Sequence, residues 1–157
     1  MRSLSRKQLV LLLGVVLPVL AGVGAGAVHA LTATTQARGT ITLHEDKVQL
    51  TRGIAKLIGE STDAAVQQIV LGPGEGPNWH THAGPALVII KSGRFTLVAD
   101  DCTEQTFGAN EVFVDQGFGH VHRAYNPGPG TTEVWVTYVI PQGAGLIIPT
   151  TAPECAS

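Results

Sequence analysis

Short apolar runs separated by turn-forming residues constrain the fold more than any other feature of this sequence. From about residue 64 onward, runs of strand length alternate with Gly, Pro, Asn and Asp, as in "ALVIIKSG", "RFTLVADD", "EVFVDQGFG" and "EVWVTYVIPQG". No segment has a convincing helical period, and the chain carries 19 glycines and 9 prolines but only 5% aromatic residues. Such a chain favours short strands joined by turns over long helices. We therefore predict an all-β fold.

The length of the chain predicts a single domain. With 157 residues, 44% of them apolar, the chain has enough apolar side chains for one packed core. Strands spaced about ten residues apart indicate a sandwich or a closed barrel, because these architectures bury both faces of the β structure. We place the barrel core at residues 65–141, strands or extended chain at residues 31–64, and a C-terminal strap at residues 142–157. Within residues 31–64, "VQLTRGIAKLIG" fits either two short strands or a strand and a helical turn.

The first thirty residues have the organisation of a secretory signal. A basic start, "MRSLSRK", precedes the apolar run "QLVLLLGVVLPVL" and the small residues of "AVHA". We expect cleavage after Ala30, with Ala27 as the alternative, and a secreted or extracytoplasmic protein. Retention as a membrane anchor stays open, because the apolar run borders on spanning length.

Cleavage also changes the charge of the chain. The signal holds three of the 10 basic residues and none of the 12 acidic ones, so the mature chain has 7 basic residues and a formal charge of −5. This charge argues against nucleic acids and anionic membranes as partners.

Two cysteines, Cys102 and Cys155, lie in the mature chain. In an oxidising compartment an even count favours one disulfide. Such a bridge would pin the C-terminal strap to the barrel. For a loop of roughly fifty residues, the chain-entropy model gives about 4 kcal/mol of stabilisation. Two free thiols are the alternative.

Four of the five mature histidines form two pairs with one residue between the members. His80 and His82 stand in "NWHTHAG", and His120 and His122 stand in "GHVHRAYN". Because residues two apart in a strand face the same side, each pair presents two imidazoles on one surface. Neutral imidazoles bind Fe, Mn, Zn, Ni and Cu, and converging strands can hold several of them around one ion. The pattern predicts a shared site for a divalent transition metal of unknown identity.

The spacing of these residues resembles the two sequence motifs of the cupin family. In the first motif, GxxxxxHxHxxxExxxxxxG, the matching residues are Gly74, His80, His82 and Gly93. In the second, PxGxxHxxxN, they are Gly119, His122 and Asn126. Two positions differ, because Ala86 stands where the first motif has Glu and Gly117 replaces the Pro of the second. The resemblance covers about residues 65–141. It implies a double-stranded β-helix, the jelly-roll barrel of cupins, with a metal held inside.

The resemblance also implies roles for the motif residues. The implied metal ligands are His80, His82 and His122, whereas Asn126 and the glycines are implied turn and packing residues. His120 has no counterpart among the usual ligands. We include it as a candidate fourth ligand in place of the missing carboxylate, since strand alternation puts it on the face of His122, unless the neighbouring glycines bend the strand. Glu75, in the loop before the first motif, is a further candidate.

The missing glutamate changes the charge expected at the site. Three neutral imidazoles around a divalent ion leave a net charge of +2, where a carboxylate ligand would leave +1. A bound ion is then a stronger Lewis acid, and its open positions favour an anionic small molecule as ligand or substrate.

Two classes of function follow. One is a metal-dependent enzyme of the oxygenase, isomerase or hydrolase type, with oxygenase chemistry suggested only by analogy to three-histidine cupin-like dioxygenases. The other is a non-catalytic module that binds or senses a metal or small ligand, and a metal-free structural barrel is a weaker third class. Glu75 and Glu133 are the acidic residues that stand out as candidates for proton transfer. A homodimer through the apolar strand "ALVII" is compatible with the resemblance.

Three other side chains have structural interpretations. Trp135 and Tyr138 lie on opposite faces of the strand "EVWVTYVI", so at most one of them points into the barrel. His44 has no partner at ligand spacing and is interpreted as an exposed or hydrogen-bonded residue outside the site.

Overall fold

A computed structural model of the protein describes residues 31–42 and 61–156. The strands are β1 (Thr32–Thr40), β2 (Thr62–Leu71), β3 (His80–Thr81), β4 (Ala86–Ser92), β5 (Arg94–Ala99), β6 (Glu104–Gly108), β7 (Val112–Asp115), β8 (His122–Tyr125), β9 (Thr132–Pro141) and β10 (Ile148–Pro149), followed by a 3₁₀ helix at Glu154–Ala156. The expected signal at residues 1–30, the segment "VQLTRGIAKLIG" and His44 lie outside the described residues. Within the described ranges, no helix has the length and hydropathy needed to cross a bilayer.

The strands form two antiparallel sheets of five strands each. One sheet has the order β1-β2-β9-β4-β7, and the other has the order β10-β3-β8-β5-β6. Along the chain, β7 lies in the first sheet, β8 in the second and β9 in the first again, so the chain winds back and forth between the sheets. This winding is that of a double-stranded β-helix, and the prediction of an all-β jelly-roll barrel is confirmed.

Side-chain alternation on β9 shows how the sequence builds the core. Val134, Val136 and Tyr138 are buried, whereas Glu133 and Trp135 between them are half-buried. Successive residues of a strand face opposite sides, so one face of β9 packs inward. The prediction for the two aromatic residues is confirmed, and the inward one is Tyr138. The core cluster consists of Ala65, Ile69, Leu71, Ala86, Val88, Ile90, Phe95, Ala124, Val134, Val136, Tyr138 and Ile140.

Strand β4 alternates in the same way, so only half of the segment "ALVII" is an exposed surface. Ala86, Val88 and Ile90 are buried, whereas Leu87 and Ile89 keep 42% and 39% of their surface exposed. Their exposed register partners on β7, at the edge of the sheet, are Val114 and Val112. The outer face of β4 and β7 is therefore apolar. Homodimer formation through this face stays a prediction.

The expected disulfide joins Cys102, in the turn between β5 and β6, to Cys155 near the C terminus. The two Cα atoms are 6.1 Å apart. Ahead of Cys155, the C-terminal strap returns along the second sheet, where Ile148 pairs with Thr81 and Pro149 pairs with His80. The strap therefore extends the sheet next to β3, the strand that carries the first histidine pair.

Gly117 lies in the turn before the second histidine pair, and it packs closely against Gly84 in the loop after the first pair. Its φ is +62°, which glycine adopts without the steric cost that other residues bear. A Cβ at this position would collide with the backbone carbonyl of Gly84. Next to it, the N–H of Phe118 donates to the carbonyl of His82 at 2.9 Å. Glycine at this position thus allows the two histidine-bearing loops to approach each other.

We expect the substitution Gly117→Ala to lower the free energy of unfolding by more than about 1 kcal/mol, because it adds both a left-handed backbone penalty and a steric clash. Denaturant titration measures this change. The control is Gly130→Ala, since a Cβ at Gly130 meets nothing within 4 Å, and we expect it to stay within about 0.5 kcal/mol of the unaltered protein. Equal effects of the two substitutions would contradict the role given to Gly117.

Candidate metal centre

Three histidines meet between strands β3 and β8. His80 begins β3 and pairs in register with His122, the first residue of β8. His82 follows β3 and turns to the same side as His80, as their spacing predicts. The ring centroids are 4.9 Å apart for His80 and His82, 4.3 Å for His80 and His122, and 5.2 Å for His82 and His122. None of the three residues is more than 5% exposed.

Each of these imidazoles has an oxygen acceptor at its Nδ1 atom. His80 Nδ1 lies 2.6 Å from the carbonyl of Asn78, and His82 Nδ1 lies 2.5 Å from the carbonyl of Leu146. His122 Nδ1 has the carbonyl of His120 as its acceptor at 3.3 Å, and it also lies 3.1 Å from Oδ2 of Asp115. Carbonyl and carboxylate oxygens only accept hydrogen bonds, so Nδ1 carries the proton in each ring. In a neutral ring the lone pair is then on Nε2, which is the arrangement of metal-binding histidines.

The burial of the rings keeps two of them uncharged at neutral pH. Burial lowers the pKa of His80 to about 4. Burial also lowers the pKa of His122, although the neighbouring Asp115 carboxylate acts in the opposite direction. The candidate ligand atoms of the three histidines all lie within 4.8 Å of one another. Three imidazoles whose candidate ligand atoms lie this close together fit a divalent transition metal.

The three imidazoles line a small cavity between the two sheets, and this cavity has a volume of about 40 Å³. Its apolar walls include Ile69, Val88, Phe95, Leu97, Phe113 and Val136, and Asp115 and Tyr138 line it beside the histidines. A single buried water needs roughly 10–15 Å³, so the cavity has room for a few molecules of that size. The Tyr138 hydroxyl donates to Oε1 of Gln67 at 3.1 Å, and burial raises the pKa of this tyrosine.

Asp115 is a residue of this site that the sequence analysis missed. It ends β7, and its side chain is 1% exposed. Together with His120 and His122 it forms a second group whose ligand atoms lie within 4.8 Å of one another. The sequence did hold a signal, because Asp115 falls two residues after Phe113 in "VFVD" and therefore on the inward face of the strand. An acidic side chain is rarely placed on such a face without a partner.

His120 belongs to this second group and not to the group of His80, His82 and His122. Strand β8 begins at His122, and the preceding turn has positive φ at Gly117, Phe118 and Gly119. The alternation that was expected to put His120 on the face of His122 therefore does not apply. Its ring stacks on His122 at 5.5 Å, and its Nδ1 lies 3.3 Å from Oδ2 of Asp115. The role of His120 as a fourth ligand stays a prediction.

The acidic residues singled out from the sequence have partners elsewhere. Glu75 accepts a hydrogen bond from the N–H of Gly72 at 2.7 Å. Glu133 accepts from Trp135 Nε1 at 2.7 Å and from Gln68 Nε2 at 2.9 Å. Neither glutamate lines the cavity. Among the described residues, the one carboxylate that lines the cavity is therefore that of Asp115.

Asn126 holds together the turn that follows β8. It is 1% exposed, and its Nδ2 donates to the carbonyls of Leu71 at 3.2 Å and Gly130 at 2.6 Å. Its Oδ1 accepts from the N–H of Gly128 at 2.9 Å. These contacts fit the turn and packing role that the cupin resemblance implies.

The C-terminal strap forms part of the site. The carbonyl of Leu146 is the acceptor for His82 Nδ1, and Ile147 lines the cavity. The N–H of Thr150 donates to the carbonyl of Trp79 at 3.1 Å, next to His80. The Cys102–Cys155 disulfide closes this arrangement, because it fixes the far end of the strap to the barrel.

We expect the metal-free protein to lose stability as the pH falls from about 6.5 to about 4. In this range the folded state binds fewer protons than the unfolded state, because burial lowers the pKa of His80 to about 4 and that of His122 in the same direction. Unfolding titrations of the metal-free protein at pH 7 and pH 5 measure the loss. The variant His80→Gln should show a smaller difference between the two pH values, and an unchanged difference would contradict this account.

We expect reduction of the disulfide to weaken both folding and metal binding. The chain-entropy model assigns about 4 kcal/mol to a loop of this length. Release of the strap also removes the acceptor of His82 Nδ1, and loss of such an outer partner typically weakens metal binding by about 10–100-fold. Zinc affinity of the oxidised protein and of the Cys102→Ser/Cys155→Ser variant tests this expectation. Equal affinity in a folded variant would show that the strap does not orient His82.

Comparison with known proteins gives similarity at the level of the fold. No protein-family model and no curated protein matches the sequence. A Cupin 2 conserved barrel domain protein from Salinispora arenicola CNS-205 is similar over 71% of this chain and 76% of its own, with 19% identity and a TM-score of 0.48. A protein with a double-stranded beta-helix domain from Klebsiella pneumoniae is similar over 55% of this chain and 76% of its own, with 22% identity and a TM-score of 0.47. The fold assignment itself rests on the strand order described above.

Proposed function

We propose that this chain is an exported protein of the cupin superfamily that binds one divalent transition metal. The ligands are the Nε2 atoms of His80, His82 and His122, and positions of the ion left open by the protein take a small molecule from the cavity. One observation carries the proposal. All three Nδ1 atoms have backbone carbonyl acceptors, which leaves the three Nε2 lone pairs for a shared ion.

The three imidazole ligands restrict the range of metals that fit the site, but they do not select a single metal. Three imidazoles suit Fe, Mn, Zn, Ni and Cu, whereas Mg and Ca prefer oxygen ligands. When bound, such an ion supplies a Lewis acid that binds and polarises an anionic or carbonyl ligand. The chain contributes the apolar walls of the cavity around that position.

The cavity supports a small ligand with one polar end. Its polar groups gather around the histidines, and the rest of its lining is apolar. With a volume of about 40 Å³ it suits a compact molecule whose anionic or carbonyl group reaches the metal while its remainder contacts aliphatic and aromatic side chains. The same chemical class of ligand is expected whether the molecule is a substrate or is only sensed or stored.

Catalysis and simple binding differ in the need for a proton-transfer group. Among the described residues, the cavity holds one carboxylate, that of Asp115, and one phenol, that of Tyr138. Both have hydrogen-bond partners in the protein, and the raised pKa of Tyr138 keeps its hydroxyl protonated at neutral pH, so that it is not available as a base. These contacts favour a binding module, or an enzyme in which the metal ion does most of the chemical work, over an enzyme with a separate general base.

Export is the second part of the proposal. It is supported by the basic and apolar organisation of residues 1–30 and by the Cys102–Cys155 disulfide. Disulfides persist in oxidising compartments and are rare in the reducing cytosol.

Elemental analysis of protein purified from an export-competent host, without chelators or affinity metals, tests the metal site. We expect close to one equivalent of a transition metal. The variants His80→Gln, His82→Gln and His122→Gln should each weaken metal binding by at least about tenfold, because each removes a direct ligand. His120→Gln is the comparison variant that decides the role of the fourth candidate. Protein without metal, even after reconstitution, would contradict the proposal and favour a metal-free barrel.

A further inference from the structure

We propose that Asp115 is the positioning carboxylate of the metal centre, supplied by β7 in place of the glutamate that position 86 lacks. The proposal rests on the metal site proposed above. Ala86 and Asp115 are register partners in the β4–β7 ladder, so their side chains leave the sheet on the same side. A carboxylate at position 115 therefore enters the barrel next to the place where a carboxylate at position 86 would enter it.

The burial of Asp115 calls for a positive charge. Its side chain is 1% exposed, and an ionised carboxylate is costly to bury unless it is paired or bound near a metal. Among the described residues, the basic side chains that form ion pairs with Asp115 are two imidazoles, those of His120 and His122. No lysine or arginine of the described ranges forms an ion pair with it. A divalent ion at the three histidines would supply the missing charge.

The position of Asp115 points to a role through His122. The hydrogen bond of His122 Nδ1 goes to the carbonyl of His120 at 3.3 Å, and Oδ2 of Asp115 lies 3.1 Å from the same nitrogen as a charge contact. The negative charge next to Nδ1 favours the ring form in which Nδ1 is protonated and Nε2 is free for the ion. A carboxylate behind a metal-bound imidazole also raises the basicity of that ligand. Asp115 is therefore a positioning residue, and the metal ligand is His122.

A purely structural role for Asp115 makes a different prediction. Its Oδ1 accepts the N–H of Gly117 at 2.6 Å and so supports the turn before His120. An asparagine keeps an oxygen for this bond but removes the charge. If the turn were the reason for Asp115, then Asp115→Asn would have little effect on metal binding.

Asp63 provides a matched control, because it is a second buried aspartate that has its own cation. It is 5% exposed, and its Oδ2 lies 2.7 Å from Nε of Arg38. Thr40 Oγ1 at 3.1 Å and the N–H of Gly143 at 3.0 Å complete its contacts. Asp63 does not line the cavity. Removal of its charge should weaken folding and leave the metal centre unchanged.

The test compares the unaltered chain with Asp115→Asn and Asp63→Asn. Zinc affinity is measured by competition with a chelator, and the melting temperature is measured on the metal-free proteins. We expect Asp115→Asn to bind zinc at least about tenfold more weakly, with a metal-free melting temperature no lower than that of the unaltered chain. Asp63→Asn should melt at a lower temperature and bind zinc within about threefold of the unaltered chain.

Three results would overturn the proposal. Zinc affinity of Asp115→Asn equal to that of the unaltered chain would remove the positioning role. A drop in metal-free melting temperature as large as that of Asp63→Asn would assign Asp115 to folding. Absence of zinc binding by the unaltered chain, with or without a change in stability in the variants, would overturn the metal site itself and this proposal with it.

Discussion

The pairing of His80 with His122 between strands β3 and β8 is the contact on which the candidate site depends. It joins the two histidine motifs, which are about forty residues apart in sequence, at one point of the second sheet. Each ring is then fixed from behind by a different part of the fold. A carbonyl in the loop before β3 accepts from His80, and a carbonyl of the strap accepts from His82. The carbonyl of His120 accepts from His122, and Asp115 of the opposite sheet lies against the same nitrogen. Strand pairing between distant parts of the sequence therefore determines how the three rings are oriented.

Local patterns in the sequence were sufficient for the fold and for most of the site. The informative patterns were the apolar runs of strand length, the Gly and Pro residues between them and the two HxH pairs. Each depends on neighbours a few residues apart in sequence, and this local order is the same in the folded chain. Asp115 and Leu146 were missed because their contacts with His122 and His82 cross between sheets or come from the strap. For His120 two arrangements were open, and the positive φ values of the preceding turn interrupt the strand alternation there, while its role as a ligand stays a prediction. Such contacts depend on topology, which no local pattern encodes.

Asp115 also changes the charge that is expected at the site. Without a carboxylate, an ion held by three neutral imidazoles would leave a net charge of +2. With an ionised Asp115 beside His122, the proposed site would carry a net charge of +1 while its coordinating groups stay neutral. A bound ion would then still attract an anionic ligand at its open positions.

The protonation of the three rings tests the central claim most directly. Long-range proton–nitrogen NMR correlations of the histidine rings distinguish the two neutral tautomers and report which nitrogen binds a metal. In the metal-free protein at pH 7.5, the account predicts protonated Nδ1 atoms in His80, His82 and His122. One equivalent of zinc should then shift the Nε2 resonances of these three rings together. An Nε2-protonated tautomer for any of them, or zinc-induced shifts at other histidines in their place, would contradict the account.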